Sequence, residues 1–116
     1  MNKKIDLTDL SSKLDGPSDR SLDLFAFLNL GLIEALMNGL LSAEDAVRFF
    51  YNADNCIYVK KYVKTKGANE VMGRGVQLPD LFDALPVEQA RREFLRELAI
   101  MRELCLKIVE ESRSVA

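Results

Sequence analysis

The run from Pro86 to Ser112 limits the fold more than any other part of the chain. Val87, Phe94, Met101 and Ile108 recur every seven residues, with Leu98 and Cys105 accompanying them, and neither glycine nor proline follows Pro86 in the run. That spacing predicts one helix, roughly 40 Å long, with a continuous apolar seam. Leu95, Ile100, Leu104, Leu106 and Val109 widen the apolar surface beyond the seam. Such a helix either lies deep in a bundle or turns a second face to another subunit.

Its neighbours are predicted from the same kind of pattern. From Ser18 to Met37, Phe25, Leu28, Leu32 and Leu36 form one stripe, and Leu24, Phe27, Leu30, Ile33 and Met37 fill much of the rest of the circumference. A helix apolar nearly all round is covered on several sides. Gly31 in its middle lowers helix stability by about 1 kcal/mol relative to alanine and admits another helix closely. Asn38-Gly39 ends it, with glycine suited to the left-handed position after a helix. Ser42-Ala43-Glu44-Asp45 then reads as a capping box that opens a second helix, predicted to run to about Thr65 and stop at Gly67. Phe49, Ala53, Cys56 and Val63 share its stripe, with Phe50 and Ile57 beside it. The short turn makes these two helices an antiparallel hairpin.

Residues 66–86 interrupt the pattern with Gly67, Gly73, Gly75, Pro79 and Pro86. Val71-Met72 and Val76-Gln77-Leu78 suit a tiny hairpin across Gly73-Arg74-Gly75. Leu78 to Leu85 suits one short helical turn with Pro79 at its first position. The expected fold is therefore all-α: a small bundle of three long helices with an antiparallel helical hairpin, plus a Gly/Pro-rich connection containing a short helical turn. Residues 1–17 read as an N-terminal arm with a short helix carrying Leu7, Leu10 and Leu14, closed by the break Gly16-Pro17. Residues 18–116 read as a single helical domain.

With 116 residues, one domain of this size buries roughly two thirds of the surface its unfolded chain exposes. It needs no metal or disulfide to hold it. Cys56 and Cys105 lie far apart among apolar neighbours and read as small core hydrophobes rather than a redox pair. The positive start, Met1 to Gly16, has no apolar run behind it and does not read as a signal peptide. Leu22 to Leu41 is the one stretch long enough to raise a membrane span, and Asp23, Asn29, Glu34 and Asn38 argue against it. These features predict a reduced, cytoplasmic protein.

The chemistry available is narrow. The chain has no histidine, which removes the commonest general base and zinc ligand and every Ser-His or Cys-His arrangement. The glycines do not make a phosphate loop, which needs Lys-Ser/Thr after its last glycine. Asp80, Asp83 and Glu88 cluster around the predicted turn, but acids are favoured in the first turns of helices, near Pro79 and Pro86. No catalytic, cofactor or metal residues are therefore assigned, and no enzyme activity is expected.

Charge is segregated locally although the whole chain carries only −2. Residues 21–58 hold Asp23, Glu34, Glu44, Asp45 and Asp54 against Arg48 alone; residues 59–75 hold Lys60, Lys61, Lys64, Lys66 and Arg74 against Glu70 alone. With Tyr58 and Tyr62, which share a helical face with Lys61, the basic residues form the candidate anion or partner surface. Cations and aromatic faces together grip nucleic acid without regard to sequence. Lysines also belong at a helix C-terminus, where they face the negative end of the dipole. The small patch and negative total charge favour that second reading.

The stretch LGLIEALMNGLLSAEDAVRFFYN, Leu30 to Asn52, resembles a family of small uncharacterised bacterial all-helical proteins. Its features are Leu-Gly-Leu, a helix, Asn-Gly, then Ser, an acid, alanine and paired bulky apolar residues. The resemblance implies a bacterial source and a helical fold, and brings no activity or site residues. With surplus apolar surface and no catalytic constellation, the sequence predicts a protein-protein interaction or regulatory module, acting as a homodimer or with another protein. A nucleic-acid or anionic-ligand binder is the alternative, and a small carboxylate enzyme the third.

Overall fold

The computed structural model describes residues 4–13 and 19–114. Six α-helices follow one another among them: α1 (Leu7–Lys13), α2 (Asp19–Met37), α3 (Ala43–Phe49), α4 (Ala53–Tyr58), α5 (Lys66–Ala84) and α6 (Val87–Ser114). A π-helical turn, Val59–Val63, extends α4. There is no strand among the described residues, so the fold is all-α. No described helix is long and apolar enough to cross a membrane.

The organising element is α6, which packs along α5 on one side and α2 on the other. Ala90, Leu98, Met101, Cys105 and Ile108 form its buried seam. Val87, the first member of the predicted heptad series, is instead 79% exposed. It stands in the first turn, beyond the neighbours that cover the rest.

The α2 helix buries Phe25, Ala26, Asn29, Leu32, Ile33 and Leu36, a single face at helical spacing. It is not covered all round: Phe27 and Met37 are exposed on the other side. Nothing approaches Gly31, so no helix uses it for close contact. The end is as the sequence indicates. Gly39 has φ +72°, Gly39 N–H donates to the Leu36 carbonyl (3.3 Å), and Leu40 N–H donates to that of Ala35 (2.9 Å). These are the two hydrogen bonds of a Schellman motif.

The predicted continuous helix from Ser42 to Thr65 is broken. Ser42 does cap α3, its Oγ accepting from Asp45 N–H at 3.1 Å. The helix then ends at Phe49 because Phe50 and Tyr51 are both fully buried. Neighbouring residues on one helix point about 100° apart, so a break lets both rings enter the core. Asn52 restarts the chain by capping α4, its Oδ1 accepting from Asn55 N–H at 3.1 Å. The predicted stripe shifts as a result: Ala53 and Ile57 are exposed, while Tyr58, Val59 and Val63 are buried.

Buried Asn55 ties this junction to the N-terminus. Its Nδ2 donates to the carbonyls of Ile5 (2.7 Å) and Phe50 (2.9 Å), and its Oδ1 accepts from Leu7 N–H (3.0 Å). Leu7 is 2% exposed, and α1 packs on α4. The Gly16-Pro17 break, Leu14 and the Ser18 start fall outside the described residues.

The largest departure lies in residues 66–84. The expected hairpin and the separate turn are one helix, α5, capped by Thr65, whose Oγ1 accepts from Ala68 N–H at 3.2 Å. Gly67 is in its first turn rather than a stop. Pro79 lies inside it, without an N–H to donate to Gly75 four residues back. Gly75 explains part of the composition. A Cβ there would stand 2.4 Å from the Tyr51 ring, so only glycine lets α5 lie against that side chain. Tyr51 is held by its hydroxyl, which donates to Asn29 Oδ1 at 2.8 Å, while Asn29 Nδ2 donates to the Phe25 carbonyl at 2.9 Å. The three long helices are thus α2, α5 and α6, and α5 takes the place assigned to the 42–65 segment.

Candidate functional site

The basic segment gathers on the π-helical turn and the start of α5. Lys60, Lys61, Lys64 and Lys66 are exposed, and none has an ion-pair partner among the described residues. Lys64 closes the turn at φ 55°, in the left-handed region, with its N–H donating to the Val59 carbonyl at 2.9 Å. A lysine there costs about 1–2 kcal/mol that glycine would not. The two tyrosines divide: their rings lie 5.0 Å apart, but Tyr58 is buried and Tyr62 exposed. Tyr58 therefore supports Tyr62 from beneath and offers no free face.

Arg74 does not join the lysines. Its Nη1 donates to both carboxylate oxygens of Glu97 on α6 (2.8 and 3.0 Å), and its Nε donates to Glu70 (3.0 Å). Those two carboxylates raise its pKa further, Glu97 foremost. The guanidinium is committed to holding α5 against α6.

The carboxylates singled out in the sequence are not brought to one site. Asp80 lines a recess with Glu70, Arg74, Glu93 and Glu97, whereas Asp83 lines a different groove. Only Glu88 stands in a first turn, that of α6; Asp80 and Asp83 sit late in α5, so the helix-start explanation fails for them. Among the described residues no group of three His, Cys, Asp or Glu side chains could hold a metal ion. Cys105 is buried and Cys56 half-buried; both are free, and burial pushes both thiols up, that of Cys105 to about 12.

A feature not identified from the sequence lies at the other end of the α5–α6 pair. The end of α2, the turn into α3, the last turns of α5 and the first turns of α6 enclose a groove of about 670 Å³. Leu36, Leu41, Pro79, Phe82, Phe94 and Leu95 supply its apolar wall. Phe82 and Phe94 meet edge to face, with ring centroids 5.3 Å apart. Of its lining residues, Met37, Phe82 and Leu95 are between 42% and 46% exposed, and Leu40, between lining residues Gly39 and Leu41 in the chain, is 81% exposed. Val87, Arg91 and Leu95 fall on one face of α6 at four-residue steps. A second recess of about 930 Å³, walled by Val47, Phe49, Tyr51, Cys56 and Val76, shares Leu41 with the first. The sequence signal was present in Leu40-Leu41 after the Asn-Gly stop and in surplus apolar residues on α6. It named no site, because four separate segments build it.

Compared with known family models, curated proteins and solved structures, the chain matches none of them.

Proposed function

We propose that this protein is a non-catalytic protein-interaction module that meets its partner through the apolar end of the bundle. The observation that carries the reading is that three exposed apolar side chains, Met37, Phe82 and Leu95, line one groove, with exposed Leu40 next in the chain to its lining residues Gly39 and Leu41. Scattered exposed apolar residues are normal on a soluble protein, but a contiguous patch rimmed by charge marks a contact surface. The free thiols fit a reducing compartment, so the proposed setting is the cytoplasm. The bacterial source implied by the sequence resemblance belongs to the same proposal. The test is capture by the tagged protein from lysate, in parallel with a Phe82→Asp variant and with sedimentation of the purified chain. Loss of a stoichiometric protein contact in the variant is expected. A wild-type chain that stays monomeric and retains no protein overturns the reading.

A second reading is favoured by four lysines, without an ion-pair partner among the described residues, beside exposed Tyr62: a grip for nucleic acid or another polyanion. Binding to single-stranded oligonucleotide should then fall steeply with salt. Lys60, Lys61, Lys64 and Lys66 changed together to glutamine should abolish it. Unchanged affinity in that variant, with the fold intact, removes this surface.

A further inference from the structure

We infer that the occupant of the apolar groove is a second copy of this chain, related by a two-fold axis. The inference rests on the interaction reading above and names its partner.

Three observations point to self-association. The first is Leu40. In a Schellman motif the apolar residue after the glycine commonly folds back onto the last helical turn. Here both backbone hydrogen bonds of the motif are made, yet Leu40 is 81% exposed. The turn is fixed and the side chain projects from it. The second is that the groove begins beside this projection, at Gly39 and Leu41. A knob and a hole on the same patch is what an isologous contact requires, because a two-fold axis sets each patch against itself.

The third is charge. Glu44 and Asp83 line the groove with Arg91. All three are exposed, and none has an ion-pair partner among the described residues. A partner segment of one sign would leave one side of this rim opposed by like charge. A second copy brings its Arg91 to the acids and its acids to Arg91. Val87, 79% exposed one turn before Arg91 on the same face, widens the apolar contact.

The experiment is sedimentation equilibrium of the full chain up to about 1 mM, a range that detects even a millimolar Kd. It is run on wild type, Leu40→Asp, Arg91→Glu, and the double variant E44R/D83R. All these side chains are exposed, so the variants should fold; circular dichroism and thermal melting check this. Wild type is expected to dimerise, and each variant to weaken the dimer tenfold or more. Mixing Arg91→Glu with E44R/D83R should restore association, because both charge contacts of the two-fold pair are then opposite in sign. A monomeric wild type, or a dimer indifferent to these variants and their mixture, overturns the inference. Should wild type be monomeric while its lysate contact still depends on Phe82, the second copy is excluded and the interaction reading stands. Loss of that contact as well removes both.

Discussion

Two antiparallel helices, α5 and α6, lie side by side and share one interface, yet they are built on opposite compositional terms. The α6 helix has no glycine or proline and carries its seam in plain view: Ala90, Leu98, Met101, Cys105 and Ile108. The α5 helix contains Gly67, Gly73, Gly75 and Pro79, and buries Ala68, Val71, Met72, Gly75 and Leu78 between them. Local preference favours α6 and opposes α5. A proline in a helix interior costs about 3 kcal/mol and each glycine about 1. What holds α5 is therefore its surroundings: the Thr65 cap, the seam of α6, the Arg74–Glu97 bridge and Tyr51 beneath Gly75. The meaning of a glycine is set by the atoms opposite it.

The largest effect is expected from emptying the α6 seam. Leu98 is fully buried at its centre. Leu98→Ala removes packing that α5 needs more than α6 does, and should cost about 2–5 kcal/mol in urea unfolding. Helical circular dichroism should fall before the transition if α5 loosens first. A cost near zero would mean that α5 does not depend on this contact. Gly75→Ala disturbs α5 at a different contact, where it lies against Tyr51. The new methyl would lie 2.4–2.7 Å from three ring atoms of Tyr51. That ring is buried and tethered to Asn29, so α5 must move, at about 1–3 kcal/mol. In a Tyr51→Ala background the penalty should disappear, giving a coupling of at least about 0.5 kcal/mol. Simple additivity would place the origin of the effect elsewhere.

This contrast also marks how far the sequence could be read. The bounds of α2 and α6, the Gly39 stop and the Ser42 cap were legible because each is decided by residues a few positions apart. The break at Phe50–Asn52 was not: it depends on two adjacent rings entering one core and on Asn55 reaching Ile5 and Leu7, some fifty positions away. The α5 helix was hidden because its turn-forming residues are overruled by contacts with α6 and Tyr51. At the candidate surfaces, the exposure of the lysines followed from their charge. Arg74 could not be separated from them, since Glu97 is distant in sequence. The groove was invisible for the same reason, with Leu41, Phe82 and Leu95 meeting only once three helices are in register.

Each helix also covers an ionisable group, Cys105 in the α6 seam and Tyr51 under α5. Burial raises both, the thiol from its ordinary 9.0 to about 12. Both are neutral when protonated, and the folded chain holds those protons more tightly than the unfolded one. Stability from this source is complete below pH 9. It falls as pH rises from 9 through about 12, where the unfolded chain ionises first. The loss should approach about 1.4 kcal/mol per pH unit for each group. Urea melts across this range test it, and Cys105→Ala should flatten the thiol's share. A thiol reagent should label half-buried Cys56 first and Cys105 only on unfolding.

The weakest perturbation is the most discriminating, because it separates two glycines only two residues apart in one helix. A Cβ at Gly73 meets nothing within 4 Å, whereas one at Gly75 meets a ring. Both positions lie inside α5 and share its backbone preference. Gly73→Ala removes flexibility from the unfolded chain and adds no clash, so it should stabilise by about 0.5–1 kcal/mol. The urea midpoint should rise with the slope unchanged. Gly73→Ala and Gly75→Ala, the same chemical change in the same helix, should thus carry opposite signs. If both stabilise, α5 stands off from Tyr51 and glycine there is only a backbone choice. If both destabilise, the segment relies on glycine conformations that a regular helix does not use. Opposite signs fix the order of causes: packing decides the effect of an added methyl at position 75, and helix propensity decides it at 73.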